Sequence, residues 1–432
     1  RDLIREAGGE LKVAGLLLQC EAASDMSERA ANCIEILGQD RESREVVRRL
    51  GGITSLVAML KSDSAACVLA AAGALKILST DEESQAEIAR HEGLEQFVEL
   101  LGHKDPAVAV KAAECIGNFA LEQAHRVRLR SLDAIGPLLT LLASLERSIK
   151  VDGLSMGADL RLGPTAAVMN LCIDDECKAL LLRQVDGLHR LLSLLNDENA
   201  VLQKVAAMAL VNLSRQVDCA IGLADSGGAL VLARCLSSAE DPETREKASS
   251  ALWNLAAQDS SSGALLEDEV LRQILEADAG GNRLAVIRSI AERPRARQKL
   301  LAAGALPKLL QHLDPGQPDS AEVAVGAVWN LCNEEEARSE VLRLGGLALL
   351  VDLVDVERPL LTFAAAGALA MLAEQQGAAK QLFELNIVSQ LLSILGQPDI
   401  EVSLLRSVVQ IIVSIAEQQD ASKDFNSWGQ TA

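Results

Sequence analysis

One short pattern recurs along the chain at a nearly fixed interval, and this recurrence restricts the possible folds more than any other feature. The segments "AAECIGNFA", "TAAVMNLC", "AAMALVNLS", "SSALWNLA" and "GAVWNLC" set Asn118, Asn170, Asn212, Asn254 and Asn330 at one equivalent position. Successive steps are 52, 42, 42 and 76 residues, the last fitting two slightly shortened units. "AANCIEILG", "AAGALKILS" and "AAAGALAML" bring Ile36, Ile77 and Met371 into the same frame. A second marker, Gly before an apolar run, falls at Gly52, Gly93, Gly187, Gly228, Gly304 and Gly346, with steps of 41, 94, 41, 76 and 42. Ala134 of "DAIGPLLTLL" fills the 94-residue step. Two markers sharing one period of 41 to 42 residues define a repeat architecture.

Each unit reads as a short helix ending near Gly, a Leu-rich helix, and a longer helix carrying the Asn. Hydrophobic residues make up 49% of the chain but aromatics only 2%, with five Phe and no Tyr, so the apolar content is the Leu, Ala, Val and Ile of closely spaced helices. One such unit has too little core to fold alone, so neighbours must stack. The Gly between helices permits a sharp change of direction. Acidic turns such as "DEE" at 81–83 follow the third helix and read as caps for the next one.

This pattern resembles the armadillo repeat family, whose third helices follow an "AAxALxNLA" form before an acidic turn and a "GGIPxLVxLL" run. HEAT repeats have a similar period, but these two markers favour armadillo. The resemblance implies an all-α, right-handed superhelical solenoid of about ten three-helix repeats over residues 1–420, followed by a C-terminal tail at 421–432. It also implies a concave groove lined by third helices, which in this family usually binds an extended peptide.

Residues at −7, −4, 0 and +4 from a reference share one helical face. Around Asn254 that face holds Lys247, Ser250 and Gln258; around Asn118 it holds Lys111, Glu114 and Glu122. The asparagines therefore read as a solvent-facing stripe whose amides pair with the main chain of a bound peptide. The plainer alternative is a local bond between neighbouring helices. Trp253 and Trp329 precede their asparagines by one residue and border the groove, either walling a side-chain pocket or packing on the adjacent third helix. Importin-α-like members place a Trp four residues before the Asn, where this chain has Glu114, Ala166, Met208, Ser250 and Gly326. β-catenin-like members have a strongly basic groove. Here Lys111, Lys204 and Lys247 face Glu122, Asp174 and Glu334. Neither pattern fits, and the expected partner is a protein presenting an extended, neutral-to-basic peptide.

Two stretches break the period. From Ala134 to Gly187 there are 53 residues instead of 41, and the surplus is placed in an insertion loop at about 144–163. A degenerate repeat at about 258–303 loses both markers and holds Arg293, Arg295, Arg297 and Lys299. It reads as a kink.

The formal charge of −20 opposes binding to phosphate backbones, so nucleic acid is not an expected partner. Nine scattered cysteines without a C-x-x-C pair read as reduced, buried thiols of an intracellular protein. The five histidines form no H-x-x-x-H, and no phosphate-binding or nucleophile motif occurs. No enzyme, metal or cofactor is expected, nor a membrane span. Arg1 falls inside a repeat, so a native start further upstream is also expected. The reading is a protein-binding scaffold or adaptor, cytoplasmic, nuclear or cytoskeleton-associated. Its alternatives are a docking component of a cytoskeletal or ciliary assembly, and a regulatory module whose groove holds a small molecule or an autoinhibitory segment.

Overall fold

The computed structural model of the chain describes residues 9–19, 24–152, 159–277, 280–355, 357–397 and 400–418, and all regular structure among them is helical. Two compact units are present, Arg1–Ser226 and Gly227–Ala432.

In the first unit, α1 (Gly9–Gln19) precedes five third helices: α2 (Asp25–Leu37), α5 (Ala65–Leu78), α8 (Pro106–Phe119), α11 (Leu162–Leu171) and α14 (Ala200–Ser214). Each of these packs on the next. First helices are α3 (Arg41–Arg49), α6 (Glu82–Arg90), α9 (Gln123–Ser131), α12 (Asp175–Arg183) and α15 (Val217–Asp225). Second helices are α4 (Gly52–Met59), α7 (Gly93–Leu100), α10 (Ile135–Asp152) and α13 (Gly187–Ser193).

The second unit opens on the second helix α16 (Gly228–Ser238). Its third helices, α17 (Pro242–Ala257), α20 (Gly280–Ala291), α23 (Pro318–Leu331), α26 (Pro359–Ala373) and α29 (Val402–Gln418), also pack in succession. Between them lie α18 (Asp259–Ser262), α19 (Asp268–Glu276), α21 (Pro294–Ala302), α22 (Ala305–Leu310), α24 (Glu335–Arg343), α25 (Gly346–Val351), α27 (Ala378–Glu384) and α28 (Ile387–Leu395).

Helix starts follow the capping chemistry of the sequence. Asp81 accepts from the Ser84 amide at 3.1 Å and Asp174 from the Cys177 amide at 3.0 Å, so the acidic turns do cap the first helices. Third helices are capped likewise, Asp105 accepting from Ala107 at 2.9 Å and Asp241 from Thr244 at 3.1 Å. The interior is Ala and Leu with β-branched residues, and Phe97 meets Phe119 at a centroid distance of 6.1 Å.

The turn into each second helix differs from the one-residue marker expected of it. The left-handed backbone falls one position earlier, at Gly51 (φ 75°), Glu92 (64°), Asp133 (52°), Asp186 (62°), Gly227 (72°) and Gly345 (73°). The marker glycine serves a different need, close approach: a Cβ on Gly52 would stand 2.8 Å from Val47 Cγ1 and 3.0 Å from the Val47 carbonyl oxygen. Gly304 itself occupies the left-handed position, and Ala305 follows it.

Several third-helix ends are closed from the helix that follows. Arg126 Nη1 donates to the Ala120 and Leu121 carbonyls, both at 2.8 Å. Arg44 donates in the same way to Gly38 (2.9 Å) and Gln39 (3.1 Å), Arg338 to Cys332 (2.8 Å), and Arg297 through Nε to Ala291 (2.9 Å). Gln85 takes this place with a 2.8 Å bond to the Ser79 carbonyl. These donors sit six residues after the carbonyl they satisfy, and Arg44, Gln85 and Arg126 are spaced by 41.

The stretch expected to be an insertion loop begins as helix. Counterparts of α10 span 6 to 11 residues, whereas α10 spans 18 and runs through 144–152. Its Leu- and Ala-rich first turns propagate through "SLERSIKVD", which contains no Gly or Pro before Gly153. Residues 153–158 and the tail at 421–432 lie outside the described residues. In the degenerate stretch the first helix is cut to the four residues of α18, followed by a 3-10 turn at Gly263–Leu266.

Replacing Arg126 by Met keeps the aliphatic stem and removes both carbonyl contacts. Charged hydrogen bonds contribute about 1.5–3 kcal/mol, so urea unfolding of Arg126→Met is expected to show a loss of that order. An unchanged midpoint would remove the helix-end role.

Candidate binding face on the third helices

The predicted site residues other than Gln258 lie on the third helices, but their side chains are not all open to solvent. Asn118 Nδ2 donates to the Lys76 carbonyl at 3.1 Å and to Ser79 Oγ at 2.9 Å. Asn170 Nδ2 donates to the Gly117 carbonyl at 2.9 Å and Asn212 Nδ2 to the Met169 carbonyl at 3.1 Å. Each bond reaches the residue just before the Asn-equivalent position on the preceding third helix. This is the local bond between neighbouring helices, and it corrects the reading of a purely solvent-facing stripe. The three side chains are half-buried, and their Oδ1 atoms accept no hydrogen bond among the described residues. A fixed Nδ2 therefore orients an open acceptor.

Asn330 is also half-buried, and its amide makes no hydrogen bond among the described residues; its carbonyl accepts from Asn333 Nδ2 at 2.9 Å. Asn254 is half-buried on α17 together with Lys247 and Ser250. Lys247 Nζ stands 3.2 Å from Glu246, and Ser250 Oγ donates to the Glu246 carbonyl at 2.9 Å. Gln258 does not extend this face. Third helices end within three residues of their Asn, so Glu122, Asp174, Gln258 and Glu334 become N-cap positions of the next helix.

The tryptophans differ from each other. Trp253 is 48% exposed. Trp329 packs on the adjacent third helix: its ring meets Phe363 edge-on at 5.3 Å, and a Cβ on Gly367 would lie 2.5 Å from Trp329 Cε2. The second of the two roles expected for it is the one observed.

Two features were not anticipated from the sequence. In the first unit, Lys111 on α8 lies 3.3 Å from Glu35 on α2 and 3.5 Å from Glu114, and Glu114 lies 2.8 Å from Lys76 on α5. Gly73 leaves the space through which the Glu35 carboxylate reaches two helices along. Partial burial disfavours the Lys111 charge, but Glu114 and Glu35 outweigh it and hold the ammonium above the usual lysine range. In the second unit, Arg288 stands at the Asn position of the degenerate repeat, where "AVIRSI" aligns with "AVWNLC" at a step of 42. Arg288 is exposed, makes no ion pair among the described residues, and lies on Gly326, with Nε 3.0 Å from where a Cβ would be. That alignment was the available signal.

The described cysteines are unpaired, and all but Cys33 are buried. Burial pushes the Cys177 thiol up to about 12, and those of Cys219 and Cys235 to about 11, so each is held as the neutral thiol near neutral pH. Among the described residues no three His, Cys, Asp or Glu side chains are placed to hold a metal. No single described helix is long and apolar enough to cross a membrane.

Stacked three-helix repeats joined by these contacts define an armadillo-type solenoid, and comparison with known proteins agrees. The family profile described as Armadillo/beta-catenin-like repeat matches residues 293–333. The splicing regulator ARVCF of Homo sapiens and that of Mus musculus are each 35% identical over 99 residues, which cover 22% of this chain and 10% of theirs. The match thus spans about a tenth of those relatives. An engineered protein solved by a structural genomics consortium superposes with a TM-score of 0.78 at 22% identity, covering 94% of this chain and 98% of its own. A chain solved in work on a phosphorylation switch controlling the interaction between cadherin and beta-catenin gives 0.68 at 19% identity, covering 95% and 81%. Residues 293–333 thus match an armadillo repeat profile, and the fold of the chain is that of an armadillo-type solenoid.

Gly367→Leu removes the seat of the Trp329 indole. The expected result is a red-shifted, more readily quenched tryptophan emission than in wild type, with helicity by circular dichroism retained. Identical emission and quenching would show that Trp329 does not depend on this contact.

Proposed function

We propose that this chain is a non-enzymatic protein-binding scaffold that holds an extended segment of a partner along its third-helix faces. The observation that carries this reading is the row of oriented asparagines. With Nδ2 engaged on the preceding helix, Asn118, Asn170 and Asn212 offer Oδ1 to main-chain N–H groups of a bound chain. Their regular spacing suits an extended peptide, whose own ordering cost offsets much of the gain. The face of the first unit is charge-paired and suits a neutral segment. In the second unit Arg288 favours an acidic residue on the partner, a change from the neutral-to-basic peptide expected from sequence. Exposed Trp253 on the neighbouring helix adds an apolar wall. The armadillo fold supports a scaffold role in the cytoplasm, the nucleus or at the cytoskeleton, with no catalysis of its own.

Asn330→Ala combined with Arg288→Ala tests this, because among the described residues neither side chain carries a hydrogen bond or ion pair. Affinity capture from cell extract with wild type and variant, alongside thermal melts, is expected to show partners lost at unchanged melting temperature. Full retention of partners would overturn the role of this face.

A further inference from the structure

The lengthening of α10 builds a site on the second-helix side of the first unit. Where α7 ends at Leu100, the corresponding residue of α10 is Leu141, and the helix runs on to Asp152. The added turns carry Ala143, Glu146 and Arg147. These face the turn after α12 and the helix α13, enclosing an open cavity of about 530 Å³. That volume lies within the range of ordinary ligand sites. None of the regular-length second helices extends far enough to supply this wall.

The chemistry of the lining is unequal. Leu139 and Ala143 give it an apolar floor, and Val185 stands on its rim at 87% exposure. Arg190 Nη1 lies 3.3 Å from Glu146, so the one carboxylate in the lining is already held. Arg147 Nε donates to the Ala143 carbonyl at 3.2 Å, which fixes the side chain along the helix. Its two η nitrogens make no hydrogen bond or ion pair among the described residues. The cavity thus has one surplus positive charge beside an apolar floor, on a chain whose formal charge is −20.

We propose that this cavity is a docking site for an acidic residue flanked by aliphatic ones on a protein partner, separate from the third-helix faces. The partner's carboxylate pairs with the Arg147 fork, and its neighbouring aliphatic side chain covers Leu139 and Val185. Charge complementarity selects this occupant: a basic segment would meet Arg147 and Arg190, while Glu146 is unavailable to it. An exposed apolar residue at the rim extends the contact beyond what a small carboxylate could reach.

The test uses the full chain with methyl-labelled Leu and Val, titrated with the blocked peptide acetyl-Ser-Leu-Glu-Leu-Ser-amide and its Glu→Gln counterpart. The expected result is saturable shifts of the Leu139 and Val185 methyl signals with the Glu peptide, and affinity about tenfold weaker with the Gln peptide. Arg147→Glu is expected to abolish the shifts, while Arg295→Glu, a charge-matched change elsewhere on an exposed helix, leaves them. Equal response to both peptides, shifts confined to third-helix residues, persistence in Arg147→Glu, or no shift at all would each overturn the proposal. Should Arg147→Glu unfold, as read by circular dichroism, Val185→Ser replaces it, with the same shifts at Leu139 expected to weaken.

Discussion

A stack of short helices must satisfy the carbonyls that each third helix leaves at its C-terminus, because the next helix begins only a few residues later. The first carbonyl of each such turn is part-buried and, left without a partner, would cost the desolvation of a polar group. The chain meets this with a donor placed six residues downstream, Arg44, Gln85, Arg126, Arg297 or Arg338. The guanidinium spans two carbonyls at once in several of these turns, which the geometry of Arg permits and a Lys ammonium would not reproduce. With the ends closed, the Ala- and Leu-rich faces within each compact unit can approach closely enough to build a core from repeats that would not fold separately.

The same economy governs the third-helix faces. An asparagine has both donor and acceptor, so one side chain can hold the neighbouring helix and still present an oxygen. At −1 from it, long side chains such as Glu35 and Trp329 reach over small residues of the next helix, Gly73 and Gly367. Positions that look exposed on a single helix are thereby drawn into contacts between repeats. Among the described residues, the Oδ1 atoms of the stitched asparagines, the side-chain amide of Asn330, Trp253 and Arg288 remain open. Because Asn212 holds the preceding helix, an alanine there would disturb the stack as well as any proposed recognition, whereas Asn330 carries no such bond among the described residues.

Much of the fold was legible from the sequence because period, Asp capping and Ala–Leu periodicity are local signals that all point one way. The exact turn residue was not. A Gly marker can mean left-handed backbone or close approach, and only coordinates assign Glu92 and Asp186 to the former and Gly93 and Gly187 to the latter. The helix through 144–152 was hidden by Gly and Ser further along, which biased the whole insertion toward loop. The asparagines do fall on third helices, but the direction of an amide is invisible at the level of residue type. Arg288 was legible in principle: alignment of the degenerate repeat at a 42-residue step exposes it, and the loss of the Asn letter concealed it. The Lys111–Glu35 pair, 76 residues apart, depends on the side chain passing over Gly73 and leaves no local trace.

Side-chain amide exchange reads the division between stitched and open asparagines directly. In ¹H–¹⁵N spectra of the full chain, the Nδ2 protons of Asn118, Asn170 and Asn212 should exchange with solvent well below the rate of Asn330. Uniform fast exchange at all four, or protection at Asn330 alone, would contradict the account.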